Sequence, residues 1–227
     1  MSDAEAVTKK GSGGRGRAGV DRKEQLLSAC ASLMIEGDTI EVSLADVASR
    51  AGMNVALVKY YFGNKEGMLL ALAMRESEKI ISEFRALMAM NDLSALEKLK
   101  RHLAGQMTIY FRFPYLDRLL RALLRDAGSE SGRIIVDTYI RPVCDAQAAL
   151  LDEAYRDELI GPTDPKLFYF ASAGACEYIF SARATLKHIF GIDQLDADLA
   201  RRHAEATADL IIRGLMPGPN GEPPKSL

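Results

Sequence analysis

Apolar residues in this chain return every three to four positions and almost nowhere every two. Leu26, Cys30, Leu33 and Met34 fall at i, i+4, i+7 and i+8, the spacing that lines one face of an α-helix. The period recurs in Leu44, Val47, Ala48 and Ala51. It recurs in Leu69, Leu72, Ile80, Phe84 and Leu87, and again in Leu96, Leu99, Leu103, Met107 and Tyr110. No convincing run alternates apolar and polar residues as a half-buried strand must. The pattern predicts an all-α fold of roughly nine helices.

Cap and breaker residues divide the pattern. Gly37 ends the first helix, Ser43 is placed to cap the second, and Gly52 ends it. Asn54 caps a third helix over about 55–62, and Asn64 caps a long fourth one. Pro114 suits the first turn of the helix that carries Leu116, Leu119, Leu120, Leu123 and Leu124. A further helical region covers 132–157, where Pro142 marks either a kink or a restart. Pro165 opens a helix expected to run to Phe190 and stop at Gly191, and a last helix ends near Gly214.

With 48% hydrophobic and 26% charged residues, 227 residues can build a folded core. The net charge of −2 makes no case for nucleic acid over the whole chain, so any basic surface must be local. Cys30, Cys144 and Cys176 are far apart and form no CxxC pair, which suits a reducing cytoplasm. The N-terminus lacks the apolar core of a signal peptide. The most apolar long run, "LFYFASAGACEYIFSARATL", is interrupted by Glu177 and Arg183 and reads as a buried helix rather than a membrane span.

Helices two and three are short and joined by the tight link Gly52-Met53-Asn54. That is the layout of a DNA-binding helix-turn-helix, whose second helix enters the major groove. It is equally the layout of an ordinary surface hairpin. Val58 and Phe62 lie four apart and should point inward. Val55, Ala56, Lys59 and Tyr60 then face outward, with Tyr61 and Lys65 at the rim.

Residues 22–75 resemble the DNA-binding domain of the tetracycline-repressor family. The resemblance rests on Ser43, on "VASRAGM" at 47–53 and on "KYYFGNKEGM" at 59–68. Lys59 stands where the family usually has Tyr, Met53 where Val is common, and Asn54 where Ser is common. Ala45 takes a position at which some members carry a base-reading Arg. The resemblance implies a DNA interface. Ser43 at a helix start, the Tyr61 phenol and Lys65 beside a positive helix end are candidates for phosphate. Val55 and Ala56 can meet thymine methyls, and Lys59 and Tyr60 can reach bases or backbone.

Between residues 1 and 67, nine basic residues meet nine acidic ones. Six of the basic residues lie between 9 and 23, with Asp21 alone against them. Residues 1–20 are expected to form a disordered basic arm, which either reaches a minor groove or only aids solubility.

For the larger part, the resemblance implies a small-molecule site and a homodimer formed through the last two long helices. The apolar helix 165–190, with its small run "ASAGAC", is consistent with helices packing across such an interface. Candidates for a pocket are Met107, Tyr110, Phe113, Tyr139, Phe170 and Glu177; aromatic residues at this spacing more often form a core. Glu177 is a carboxylate in an apolar helix, suited to a ligand or to an arginine. His102, His188 and His203 have no metal-ligand spacing, and "GSGGRGR" lacks the GK[ST] of a phosphate loop. No cofactor, metal or catalytic constellation is expected.

The reading is an arm at 1–20, a helix-turn-helix domain at 21–67, a ligand-binding and dimerisation domain at 68–216, and a disordered tail at 217–227. The expected protein is a cytoplasmic, dimeric, ligand-responsive transcriptional regulator, a repressor that binds double-stranded DNA. It is not an enzyme and has no membrane partner. The alternative is a helical interaction protein with a degenerate DNA-binding domain.

Overall fold

A computed structural model describes residues 13–217, with side chains from 21 onward. The architecture is all-α, as the helical period requires. Among the described residues there are eleven α-helices, one π-helical turn and no strand. The chain forms two compact units that divide between Leu72 and Ala73.

The first unit holds α1 (Gly13–Glu36), α2 (Leu44–Arg50), α3 (Val55–Phe62) and the first turns of α4 (Lys65–Met88). Its core includes Leu26, Cys30, Met34, Val47, Val58, Met68 and Leu72, none with accessible surface. Each fully buried aliphatic side chain contributes about 1.5–3 kcal/mol. Met68 and Leu72 explain why the unit runs past residue 67: the opening turns of α4 belong to its core. Residues 1–12 and 218–227 of the expected arm and tail lie outside the described residues. The expectation of a disordered arm does not extend to 13–20, whose backbone continues α1.

The second unit holds the rest of α4, then α5 (Ala95–Arg112), α6 (Leu116–Leu124) and α7 (Glu130–Ile135). After them come the π turn (Val136–Ile140), α8 (Arg141–Arg156), α9 (Pro165–Ser181), α10 (Arg183–Phe190) and α11 (Ala197–Leu215). Its core joins α5, α8, α9 and α11 through Leu99, Leu103, Met107, Leu150, Ala154, Cys176 and Ala208. No helix among the described residues is long and apolar enough to cross a membrane.

Two departures from the expected helices have local causes. Pro142 restarts rather than bends the chain: it lies in the first turn of α8, directly after the π turn. A proline ring clashes with the carbonyl four residues back, and the wider π turn makes room for it. The helix expected over 165–190 is broken at Ala182 (φ −87°, ψ 37°). The Ser181 hydroxyl donates back to the Tyr178 carbonyl at 3.1 Å, the same oxygen that accepts from the Ala182 amide. Such back-bonding weakens the helix ladder.

His102 on α5 is buried, with its ring 4.5 Å from that of Phe84. The Gln147 side-chain amide donates to its Nε2 at 3.0 Å, an arrangement that needs neutral imidazole. Burial pushes its pKa from 6.5 down to about 4. Between these values the unfolded chain binds a proton that the folded chain does not, so stability falls as pH drops. The shift corresponds to a loss of about 3 kcal/mol, complete near pH 4. Urea midpoints measured from pH 7 to 4 should show this loss, and His102→Phe should flatten it. An equally steep profile in the variant would assign the acid sensitivity elsewhere.

Candidate nucleic-acid interface and ligand cavity

The helix-turn-helix is built by short-range capping. The Ser43 hydroxyl accepts from the Asp46 amide at 3.1 Å, and the Asp46 carboxylate accepts from the Ser43 amide at 3.3 Å. Asn54 caps α3 by accepting from the Leu57 amide at 2.8 Å, and Asn64 caps α4 by accepting from the Gly67 amide at 2.8 Å. Gly52 has φ 65°, and a Cβ there would meet nothing within 4 Å. Its requirement is therefore backbone conformation and not space. Gly67 is the opposite case: a Cβ there would collide with the carbonyl oxygen of Phe62.

With Val58 and Phe62 buried, α3 turns Ala56, Lys59 and Tyr60 to solvent, Tyr60 being 79% exposed. Val55 and Tyr61 are half-buried, and the rings of Tyr60 and Tyr61 meet edge to face with centroids 5.2 Å apart. Among the described residues Lys59 has no carboxylate partner. Two expected anion contacts are already engaged. The Ser43 hydroxyl donates to Asp46 Oδ2 at 2.6 Å, which sets a carboxylate where a phosphate was expected. Lys65 Nζ pairs with Glu41 Oε2 at 2.7 Å. Arg50 likewise forms a two-bond pair with Glu36, at 2.7 and 2.6 Å, and holds that carboxyl below its usual range. The partners Glu36, Glu41 and Asp46 were missed. Only the capping-box spacing of Ser43 and Asp46 was a sequence signal for any of them.

In the second unit, α5, α6, the π turn, α8 and α9 form the walls of a partly open cavity of about 320 Å³. Tyr110, Tyr139, Phe170 and Glu177 line it. Met107 and Phe113 do not. Met107 follows Gln106 by one residue, about 100° round α5, and sits in the core. Phe113 would return to the cavity face if α5 continued, but it is the C-cap, at φ −123° and ψ 73°. Its ring lies against Arg112 and Tyr115 instead.

Sequence reading missed Gln106, Asp117, Arg121 and Tyr169 on the same wall. Their signal was spacing: Gln106 and Tyr110, or Tyr169, Ala173 and Glu177, repeat every four residues on one helix face. The Tyr110 hydroxyl donates to Glu177 Oε1 at 2.7 Å, and Arg121 Nη2 donates to Glu177 Oε2 at 3.0 Å. Arg121 Nε also reaches both oxygens of Asp117, at 2.8 and 3.0 Å. Burial raises the pKa of Glu177, opposed by the Tyr110 hydrogen bond. Burial likewise raises that of Tyr110, which keeps the phenol a donor. A smaller cavity of about 110 Å³ shares Gln106, Tyr139 and Val143 with the first.

Comparisons with known proteins agree with both units. Residues 26–72 match the family described as "Bacterial regulatory proteins, tetR family", and residues 92–222 match "Tetracyclin repressor-like, C-terminal domain". The chain is 21% identical to the HTH-type transcriptional regulator RutR of Escherichia coli over 209 residues, 92% of this chain and 97% of RutR. It is 32% identical to the HTH-type transcriptional regulator BetI of Stenotrophomonas maltophilia over 68 residues, 29% of this chain and 35% of BetI. A transcriptional regulator of the TetR/AcrR family from Thermobifida fusca shares the fold with a TM-score of 0.67 at 21% identity, over 86% of this chain and 98% of that one. An exposed α3 on a capped helix-turn-helix, followed by an all-helical unit matched over most of its length, places this chain in the tetracycline-repressor family of transcriptional regulators.

Proposed function

We propose that the protein is a cytoplasmic homodimer that represses transcription from a two-fold operator and is released by a small molecule. The observation that carries this reading is the pairing, in one chain, of an outward-facing Ala56–Lys59–Tyr60 surface on α3 with a cavity of about 320 Å³ in the second unit. Two recognition helices reach successive major grooves when roughly 34–36 Å apart. A ligand that favours another spacing lowers DNA affinity by linkage, tenfold for each ~1.4 kcal/mol of preference. In this reading the protein acts by binding.

The reading is tested by a gel shift on the DNA flanking its own gene, with salt varied. Specific, salt-dependent retardation supports it. Binding no tighter than to random DNA favours the second reading, a degenerate DNA-binding domain. The ion pairs of Arg50 and Lys65 with Glu36 and Glu41 are the observation on that side.

In the regulatory reading Lys65 exchanges Glu41 for a phosphate. Glu41→Gln removes the competitor and should tighten operator binding about threefold, the scale of one exposed ion pair. Lys65→Ala should weaken all DNA sequences alike and reduce the salt slope by about one. Fluorescence anisotropy over a salt series measures both, and unchanged affinity in the two variants would remove Lys65 from the interface.

A further inference from the structure

The larger cavity is acidic. Asp117 and Glu177 stand on its wall against one guanidinium, that of Arg121. Arg121 is occupied by these same carboxylates, through three hydrogen bonds of 2.8–3.0 Å. The wall therefore keeps a net negative charge with no free cation to offer a ligand. It also offers an unused acceptor: Gln106 Oε1 is buried and has no hydrogen-bond partner. A buried acceptor left unmade is costly, and a donor on the ligand would relieve it. Around these groups stand the rings of Tyr110, Tyr139, Tyr169 and Phe170, and aromatic faces attract cations.

We propose that this cavity takes a small organic cation with an apolar body, a protonated amine or amidine. Its N–H groups bond the Glu177 carboxylate and Gln106 Oε1, and its carbon skeleton lies against Tyr139 and Phe170. The proposal rests on the reading of the cavity as the effector site and adds the chemistry of the effector. An anionic ligand would face two carboxylates whose one counter-ion is already engaged. A ligand without donors would leave Gln106 Oε1 buried and unpaired. The adjoining cavity offers the apolar end Ile80, Phe84, Leu87 and Ile109 beyond the shared Gln106 and Tyr139, with Glu83, Arg101 and His102 also on its wall.

The test is calorimetry on the full chain with three probes of one shape: 4-phenylbutylamine, 4-phenylbutanol and 4-phenylbutyrate. The amine should bind about tenfold tighter than the alcohol, the effect of one charge-assisted hydrogen bond, and the carboxylate weakest. Glu177→Gln should remove the preference of amine over alcohol. The order of the three probes on the unaltered protein stands whether or not that variant folds. The proposal is overturned if the alcohol or the carboxylate binds as well as the amine, if none of the three binds, or if a folded Glu177→Gln keeps the full preference. The same probes added to an operator-binding assay separate this proposal from the effector reading. Tight amine binding without loss of DNA affinity sinks the effector reading and keeps the ligand class. Release of DNA by the alcohol or carboxylate but not by the amine does the reverse.

Discussion

Leu210→Glu should convert the protein from dimer to monomer at micromolar concentration. Leu210 is 71% exposed on α11, whose opposite face is buried through Ala204, Ala208, Ile212 and Leu215. Six of the twelve exposed large apolar side chains among the described residues lie on α9, α10 and α11: Leu167, Phe170, Tyr178, Ile189, Phe190 and Leu210. Exposed apolar side chains gathered on a few helices mark an interaction surface. A two-fold interface places each substitution twice. Two unpaired carboxylates at roughly 3 kcal/mol each weaken dimerisation by about four orders of magnitude. Sedimentation velocity measures this directly. Operator binding should fall with it, because one helix-turn-helix occupies one half-site and recruits no second. Leu210→Met should keep the dimer. A Leu210→Glu protein that sediments as the wild type does would move the interface off α11.

Glu76→Ala should be the most destabilising single change in the second unit short of a core cavity. Glu76 has no accessible surface, yet it carries a carboxylate. Arg75 Nε donates to it at 2.9 Å, the Tyr115 hydroxyl at 3.2 Å, and Lys79 Nζ lies 3.2 Å away. Tyr115 is itself buried, and burial beside the carboxylate raises its pKa, so the phenol stays a donor. Removing one side of a buried pair leaves its partners desolvated without compensation, at a cost of about 3–5 kcal/mol. For a protein of this size that lowers Tm by roughly 10 °C. Glu76→Gln keeps an acceptor for Tyr115 and should cost less. Differential scanning calorimetry separates the two variants. A loss under about 1 kcal/mol in Glu76→Ala would mean that the cluster contributes nothing beyond its own desolvation.

Much of the fold was legible because its signals are local. Ser43, Asn54 and Asn64 cap helices within three residues of themselves, and such contacts form wherever the helix does. The outward face of α3 followed from two residues, Val58 and Phe62, four apart. Where a signal was local but weak, the reading drifted. Ala182 breaks a helix with neither proline nor glycine, and Gly13 begins one inside a glycine-rich run. Phe113 shared the period of its cavity neighbours but fell one residue beyond the end of its helix.

Periodicity along the chain by itself determined the all-α class, the capped helix-turn-helix and the residues α3 presents, because one helix turn relates each residue to its neighbours three and four away. Tertiary structure alone decided which polar groups find each other. Lys65 meets Glu41 across 24 positions, Arg121 meets Glu177 across 56, and Tyr110 meets Glu177 across 67. Helical period says which face a residue occupies and nothing about which helix comes to lie against that face. The charge of the cavity, and with it the chemistry of what it can hold, is set by that second choice.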